Sequence, residues 1–149
     1  MNAPPLAPPP ITALILAGGR GARMGGADKG LQGLQGQPLV LHALSRLRQQ
    51  SLLPAQICIS ANRHRADYEA LGVPVLADRW PDFPGPLAGF LAGLTHCSTP
   101  LLLTVPCDTP HFPLSLCERL AHALLAQNSD LAMVATPERD EHGTSYLQV

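Results

Sequence analysis

The chain has 149 residues and a formal net charge of −1, with 46% hydrophobic and 14% charged residues. That length suits one domain, and a globular apolar fraction with so few charges excludes a disordered acidic or basic protein. Near-neutrality excludes the basic footprint of a nucleic-acid binder, and no apolar run reaches the roughly 18 residues that a membrane helix needs.

Residues 1–10 carry five prolines and neither a basic region nor an apolar core. They read as an extended, flexible leader rather than a signal peptide, ahead of a domain spanning 11–149. Cysteines stand at 58, 97, 107 and 117 without a Cys-x-x-Cys pair, and the six histidines show no ligand-like pairing. The expectation is a cytoplasmic, reduced, zinc-free protein with Cys58 packed as a small hydrophobe.

Ile11 to Ala17 is a continuous apolar run stopped at Gly18-Gly19, as suits a strand covered on both faces of a parallel sheet. Pro38 to Gln50 has leucines at 39, 41, 44 and 47, which is helical spacing with proline near the first turn. Then follow a strand over 56–61, a helix over 64–71 ended by Gly72, and a strand over 73–77. A helix over 86–96 places Gly89 and Gly93 four apart, a smooth face for close packing. Leu101 to Val105 is a buried strand, 113–127 a helix with Leu116, Leu120, Ala123 and Leu124 on one side, and 131–135 a further strand. This alternation predicts an α/β fold with a doubly wound, mainly parallel sheet. Ligands of such sheets bind beyond the carboxyl ends of the strands where strand order reverses. The segments to consider are therefore 18–36, 62–63, 78–86 and 106–112.

The connection from Gly18 to Gly36 is long for a compact domain and holds eight of the 13 glycines. Glycine lets backbone N–H groups converge on anionic oxygens, and Arg20, Arg23 and Lys29 outnumber Asp28, so a polyphosphate is the ligand class that fits. Lys29 is the one lysine among ten cationic residues, and a compact ammonium does not exchange freely with a guanidinium between phosphates. Two familiar motifs are absent. A Walker loop needs Gly-Lys-Ser/Thr, whereas Asp28 precedes and Gly30 follows Lys29; the dinucleotide fingerprint needs a third glycine where Met24 stands. Asn62 occupies the region where a ribose-binding acid would be expected.

Leu16-Ala17-Gly18-Gly19-x-x-x-Arg23-Met24-Gly25-x-x-x-Lys29-Gly30 resembles the nucleotidyltransferases that activate sugars and cofactors with nucleoside triphosphates. Ala61-Asn62-Arg63, Asp78, Gly85-Pro86-Leu87-Ala88-Gly89 and Pro106-Cys107-Asp108-Thr109-Pro110 narrow the likeness to the molybdenum cofactor guanylyltransferase family, over about residues 11–140. The resemblance implies a Rossmann-like nucleotidyltransferase fold and transfer of GMP from GTP to molybdopterin. It implies that Leu16, Ala17, Gly18, Gly19, Lys29, Asn62, Asp78 and Asp108 bind the nucleotide. Lys29 and Asp108 would be catalytic, with Asp108 also holding Mg²⁺, the implied cofactor. No membrane or nucleic acid enters; transient contact with other cofactor-biosynthesis or molybdoenzyme proteins does.

Phosphoryl-type transfer asks mainly for alignment and charge neutralisation, and Asp108 offers a hard oxygen ligand between Pro106 and Pro110. Taken alone, Asp108 better suits a turn aspartate bonding its own backbone, the commoner role beside proline; beside Lys29 and its loop the metal reading wins. Asn62 also suits a backbone contact at a strand end, and Asp78 a pair with Arg79 or a turn cap. Arg20 and Arg23 divide evenly between phosphate or pterin contacts and simple solvation of the loop.

The chain departs from the family pattern near its end. Gly143 follows His142 where family members carry His-Pro, and their later Asn-Thr-Pro-like segment is absent. The expectation is a fold missing its C-terminal elements, complete on the nucleotide side and incomplete on the pterin side, with apolar surface exposed. Three rivals remain: transfer from CTP or to a sugar phosphate, a nucleotide-binding remnant without turnover, and a purely structural α/β module.

Overall fold

A computed structural model of the chain describes residues 7–17, 28–77, 86–139 and 145–148. Strand β1 is Ile11–Leu16. A 3-10 turn over Lys29–Leu31 leads to a small hairpin of β2, Gly33–Leu34, and β3, Gln37–Pro38. Helix α1 (Leu39–Leu47), strand β4 (Gln56–Ser60), helix α2 (Arg65–Glu69) and strand β5 (Val75–Leu76) follow. Helix α3 is Pro86–His96, β6 is Leu101–Pro106 and α4 is Leu116–Ala126. Strands β7, Thr136–Arg139, and β8, Ser145–Gln148, close the described part.

The main sheet has the order β5-β4-β1-β6 and every pairing in it is parallel. Chain order runs outward from β1 through β4 to β5, then returns to β1's other side at β6. Strand order therefore reverses between β1 and β6, whose carboxyl ends stand side by side with Leu16 opposite Pro106.

Strand β1 is covered on both faces, as its unbroken apolar run requires. Ile11, Ala13 and Ile15 share one core with Val40, Ala43, Leu44 and Leu47 of α1, Tyr68 of α2, and Leu116, Cys117 and Ala121 of α4. The alternate residues meet α3. A Cβ built at Gly93 would lie 2.6 Å from Leu14 Cδ2, and one at Gly89 would lie 2.8 Å from Leu16 Cδ2. A side chain at either position would have to displace a leucine of the sheet, so the smooth helix face expected from Gly89 and Gly93 is the face that packs on the sheet.

Four expectations are corrected. Residues 131–135 form no strand; the strand begins at Thr136 and pairs antiparallel with Ser145–Gln148 in a separate two-stranded sheet. The apolar run is instead exposed, 71% at Leu131, because a strand needs a facing partner and hydrophobicity alone supplies none. The buried stripe of α1 is Val40, Ala43, Leu44 and Leu47, not Leu39 and Leu41. On α4 it is Leu116, Cys117 and Ala121, with Ala123 exposed, since only the first turns of that helix reach the core. The fourth concerns the glycine-rich connection. Gln35 and Gly36 both have positive φ, 52° and 82°, and close the β2–β3 hairpin. Gly36 therefore serves a tight turn rather than an anion.

The outer side of α3 carries Leu87, Leu91 and Leu94 at i, i+4 and i+7, all exposed. The four cysteines are free, with Cys58, Cys107 and Cys117 buried. No helix among the described residues is long and apolar enough to cross a membrane.

Candidate active site

The carboxyl ends of β1 and β6 carry the residues that matter. Leaving β1, the Ala17 N–H donates to the Ser60 carbonyl at 3.0 Å, while the Leu16 carbonyl accepts the Cys107 N–H at 3.2 Å. These two bonds tie the start of the glycine-rich connection to β4 on one side and to the residue after β6 on the other. Leu16 and Ala17 are thus rim residues whose position is set by the sheet ladder.

Two residues from opposite parts of the chain meet there. Lys29 Nζ lies 3.2 Å from Oδ2 of Asp108, which stands 79 positions further along the chain. Their side chains are 51% and 42% exposed, so the pair contributes little to stability. Its value lies in placement: a mobile cation and a hard-oxygen anion share one spot at the switch point of the sheet.

Local structure explains each position. Asp28 caps the 3-10 turn that carries Lys29, its Oδ1 accepting the Gly30 N–H at 3.1 Å. The same oxygen accepts the Tyr68 hydroxyl at 2.6 Å. Behind the turn, His42 Nε2 lies 2.7 Å from the Leu34 carbonyl, which fastens the β2–β3 hairpin to α1. On the other side, α1 and the residues after it hold the segment that follows Asp108. Arg46 Nε donates to the Phe112 carbonyl at 2.7 Å. The buried Gln50 side chain donates to the Pro113 carbonyl at 2.9 Å and accepts the Cys117 N–H at 3.0 Å. The Ser51 N–H adds a bond to the Leu114 carbonyl at 2.8 Å.

Cys107, beside Asp108, is buried. Its thiol is pushed up to about 11 by burial first and then by the carboxylates of Asp108 and Asp28. It is a neutral packing group at ordinary pH, not a nucleophile.

Of the residues singled out in the sequence, the structure brings Lys29 and Asp108 together and sets Leu16 and Ala17 at their rim. Asn62 stands exposed just beyond β4, one strand away along the same edge. Gly18, Gly19, Arg20, Arg23 and Asp78 lie outside the described residues. Sequence reasoning passed over Tyr68, Gln50 and Arg46. Tyr68 carried one signal, as the lone aromatic of a short polar helix; Gln50 and Arg46 carried none.

A lysine and an aspartate converge where the parallel sheet reverses its order, the place where ligands of such sheets bind. The model of the MobA-like NTP transferase domain matches residues 13–147. The chain belongs to that family. A molybdenum cofactor guanylyltransferase of Albidiferax ferrireducens is 59% identical over 138 residues, covering 93% of this chain and 65% of the relative. One from Bordetella petrii is 60% identical over 126 residues, covering 85% of this chain and 63% of the relative. The chain thus spans slightly under two thirds of the length of these MobA-like relatives.

Among solved structures, CMP:2-keto-3-deoxy-manno-octonic acid synthetase in complex with CTP superposes with a TM-score of 0.62 at 17% identity, covering 80% of this chain and 48% of that one. A nucleotidyl transferase from Methanothermobacter thermautotroptrophicus gives 0.60 at 24% identity, covering 75% and 56%. At such identities the likeness concerns the fold, a Rossmann-like α/β sheet shared by nucleotidyltransferases.

Proposed function

We propose that this MobA-like chain carries the nucleotide-handling part of a cytoplasmic molybdenum cofactor guanylyltransferase, which transfers GMP from GTP to molybdopterin. The observation that carries this reading is the meeting of Lys29 and Asp108 at the switch point, in a chain 59% identical to a guanylyltransferase.

In the proposed reaction a phosphate oxygen of molybdopterin forms a bond to the α-phosphorus of GTP. The bond from that phosphorus to the bridging oxygen breaks, and pyrophosphate leaves with the electron pair. Lys29 places its ammonium on the phosphates and offsets the charge that repels an anionic nucleophile. Asp108 supplies one oxygen ligand. Among the described residues no group of three or more His, Cys, Asp or Glu is gathered to cage a metal, and a lone carboxylate fits Mg²⁺, which is commonly shared between one or two carboxylates and substrate phosphates. Mg²⁺ bound there would neutralise phosphate charge and favour departure of pyrophosphate. The exposed Asn62 at the neighbouring strand end, the backbone of Leu16, Ala17, Gly18 and Gly19, and Asp78 would complete the nucleotide contacts. Arg20 and Arg23 are assigned to phosphate or pterin.

Incubating the chain with α-labelled GTP, molybdopterin and Mg²⁺ tests the proposal, with label expected on the pterin product. Competition among GTP, CTP and ATP tests the base, with GTP expected to bind tightest. The same assay separates a second reading, a chain that binds GTP without turnover. Measurable GTP binding with no label transfer would establish it.

A further inference from the structure

We propose that Tyr68 and Asp28 act as a positioning pair that holds Lys29 in register with Asp108, and that Gly30 lacks a side chain to let them meet. The inference rests on the proposed role of Lys29 and deepens it.

Asp28 immediately precedes Lys29, and its Oδ1 accepts two hydrogen bonds. The Gly30 N–H, 3.1 Å away, belongs to the turn itself. The Tyr68 hydroxyl, 2.6 Å away, comes from a helix 40 residues further along the chain. Tyr68 is fully buried, so its ring does not shift to suit the turn; the turn is fixed to it. The residues on both sides of Lys29 are thereby anchored, Asp28 through its carboxylate and Gly30 through its N–H. What remains free to move is the lysine side chain, and it points to Asp108.

Gly30 completes the device. A Cβ there would collide with the Tyr68 hydroxyl and come 3.3 Å from Ala17 Cβ. The space is filled by the donor that Asp28 needs. Nothing in this arrangement moves a proton. Burial first, then the Asp28 carboxylate, holds the Tyr68 phenol far above its usual range, so it remains a donor at any working pH. Its contribution is geometric, since a long, flexible ammonium aligns phosphates only if its anchor is already aligned.

The test uses the fact that Lys29 is the one lysine in the chain. Protein labelled with ¹³C-lysine gives a single set of side-chain signals, and an ordered lysine shows its two ε-protons resolved. Tyr68→Phe keeps the ring and its packing but removes the donor; Gly30→Ala keeps both partners but drives them apart. Both are expected to merge the ε-proton signals. Tyr68→Phe is further expected to weaken GTP binding about fivefold to tenfold, within the worth of a misplaced charge-assisted contact. In a Lys29→Ala background it should cause no further loss, which a merely structural tyrosine would not show. Asp28→Asn, which retains the acceptor oxygen, should keep the resolved signals, and Asp28→Ala should lose them.

Unchanged lysine signals in both Tyr68→Phe and Gly30→Ala would overturn the proposal, as would an equal loss of GTP binding with and without Lys29. A parent chain that fails to bind GTP would remove the proposed function instead, and the lysine signals would still decide whether the pair positions Lys29.

Discussion

Lys29 and Asp108 hold their charged atoms 3.2 Å apart although they leave different strands, and both remain near half exposed. Exposed ion pairs of this kind are worth about 0–1 kcal/mol. Lys29→Ala should therefore leave the thermal midpoint nearly unchanged while weakening GTP binding about 10- to 100-fold, the range for a charged hydrogen-bond partner. Lys29→Arg should restore only part of the loss, because a planar fork does not replace a point charge. Isothermal titration beside a thermal melt separates the two effects.

Asp108→Asn keeps the shape of the side chain but removes the hard anionic oxygen. The expected outcome is near-normal folding, with the magnesium dependence of GTP binding flattened by at least about tenfold in metal affinity. Titrating Mg²⁺ at fixed GTP measures it. An unchanged magnesium curve would take the metal away from Asp108.

Gln50 satisfies the Pro113 carbonyl and the Cys117 N–H from a buried position. Gln50→Leu would strand the Cys117 N–H, while the Pro113 carbonyl would keep the Leu116 N–H as donor, at a cost of about 1–3 kcal/mol. That corresponds to a midpoint lower by about 2–12 °C for a domain of this size. Because these bonds also hold the segment after Asp108, magnesium affinity should fall with stability. Urea denaturation with a magnesium titration checks both.

Gly93 faces Leu14 Cδ2 and Leu102 Cδ2 across the α3–sheet contact. Gly93→Val should overpack that interface and destabilise the protein by about 1–3 kcal/mol, despite the poorer helix propensity of glycine. By contrast, Leu94→Gln on the exposed side of α3 should change stability by less than about 0.5 kcal/mol. Parallel denaturant curves of the two variants test the assigned faces.

Alkaline pH should unfold the protein through its buried thiols. Cys107 and Cys117 are each pushed up to about 11, with burial as the leading cause. The unfolded chain ionises near the ordinary thiol value of about 8.5. A raised folded value means the stabilisation is fully present below the unfolded value and is lost as pH rises through the folded one. Stability should therefore hold to about pH 8.5 and fall by on the order of 3 kcal/mol for each thiol by pH 11. Denaturant curves across that range measure it, and Cys117→Ala should flatten the slope.

Much of the fold was legible because its signals are local. Ile11–Leu16 and Leu101–Pro106 read as buried strands, since strands covered on both faces are apolar without alternation. Helix α3 begins at Pro86 and presents Gly89 and Gly93 inward, as expected. The 131–135 run misled because an apolar segment announces burial or exposure only once a partner is known. Gly36 misled because a tight turn and an anion cradle draw on the same residue.

By itself, the sequence determined the alternation of strands and helices, the singular lysine in a glycine-rich connection, and the motifs that mark a nucleotidyltransferase. Only the tertiary structure decided that Lys29 meets Asp108, that Tyr68 reaches Asp28 over Gly30, and that Gln50 braces the segment beyond Asp108. The reason is physical. Periodicity and turn chemistry act over a few residues, whereas these contacts depend on strand order and register in a parallel sheet, which join segments 40 to 79 residues apart.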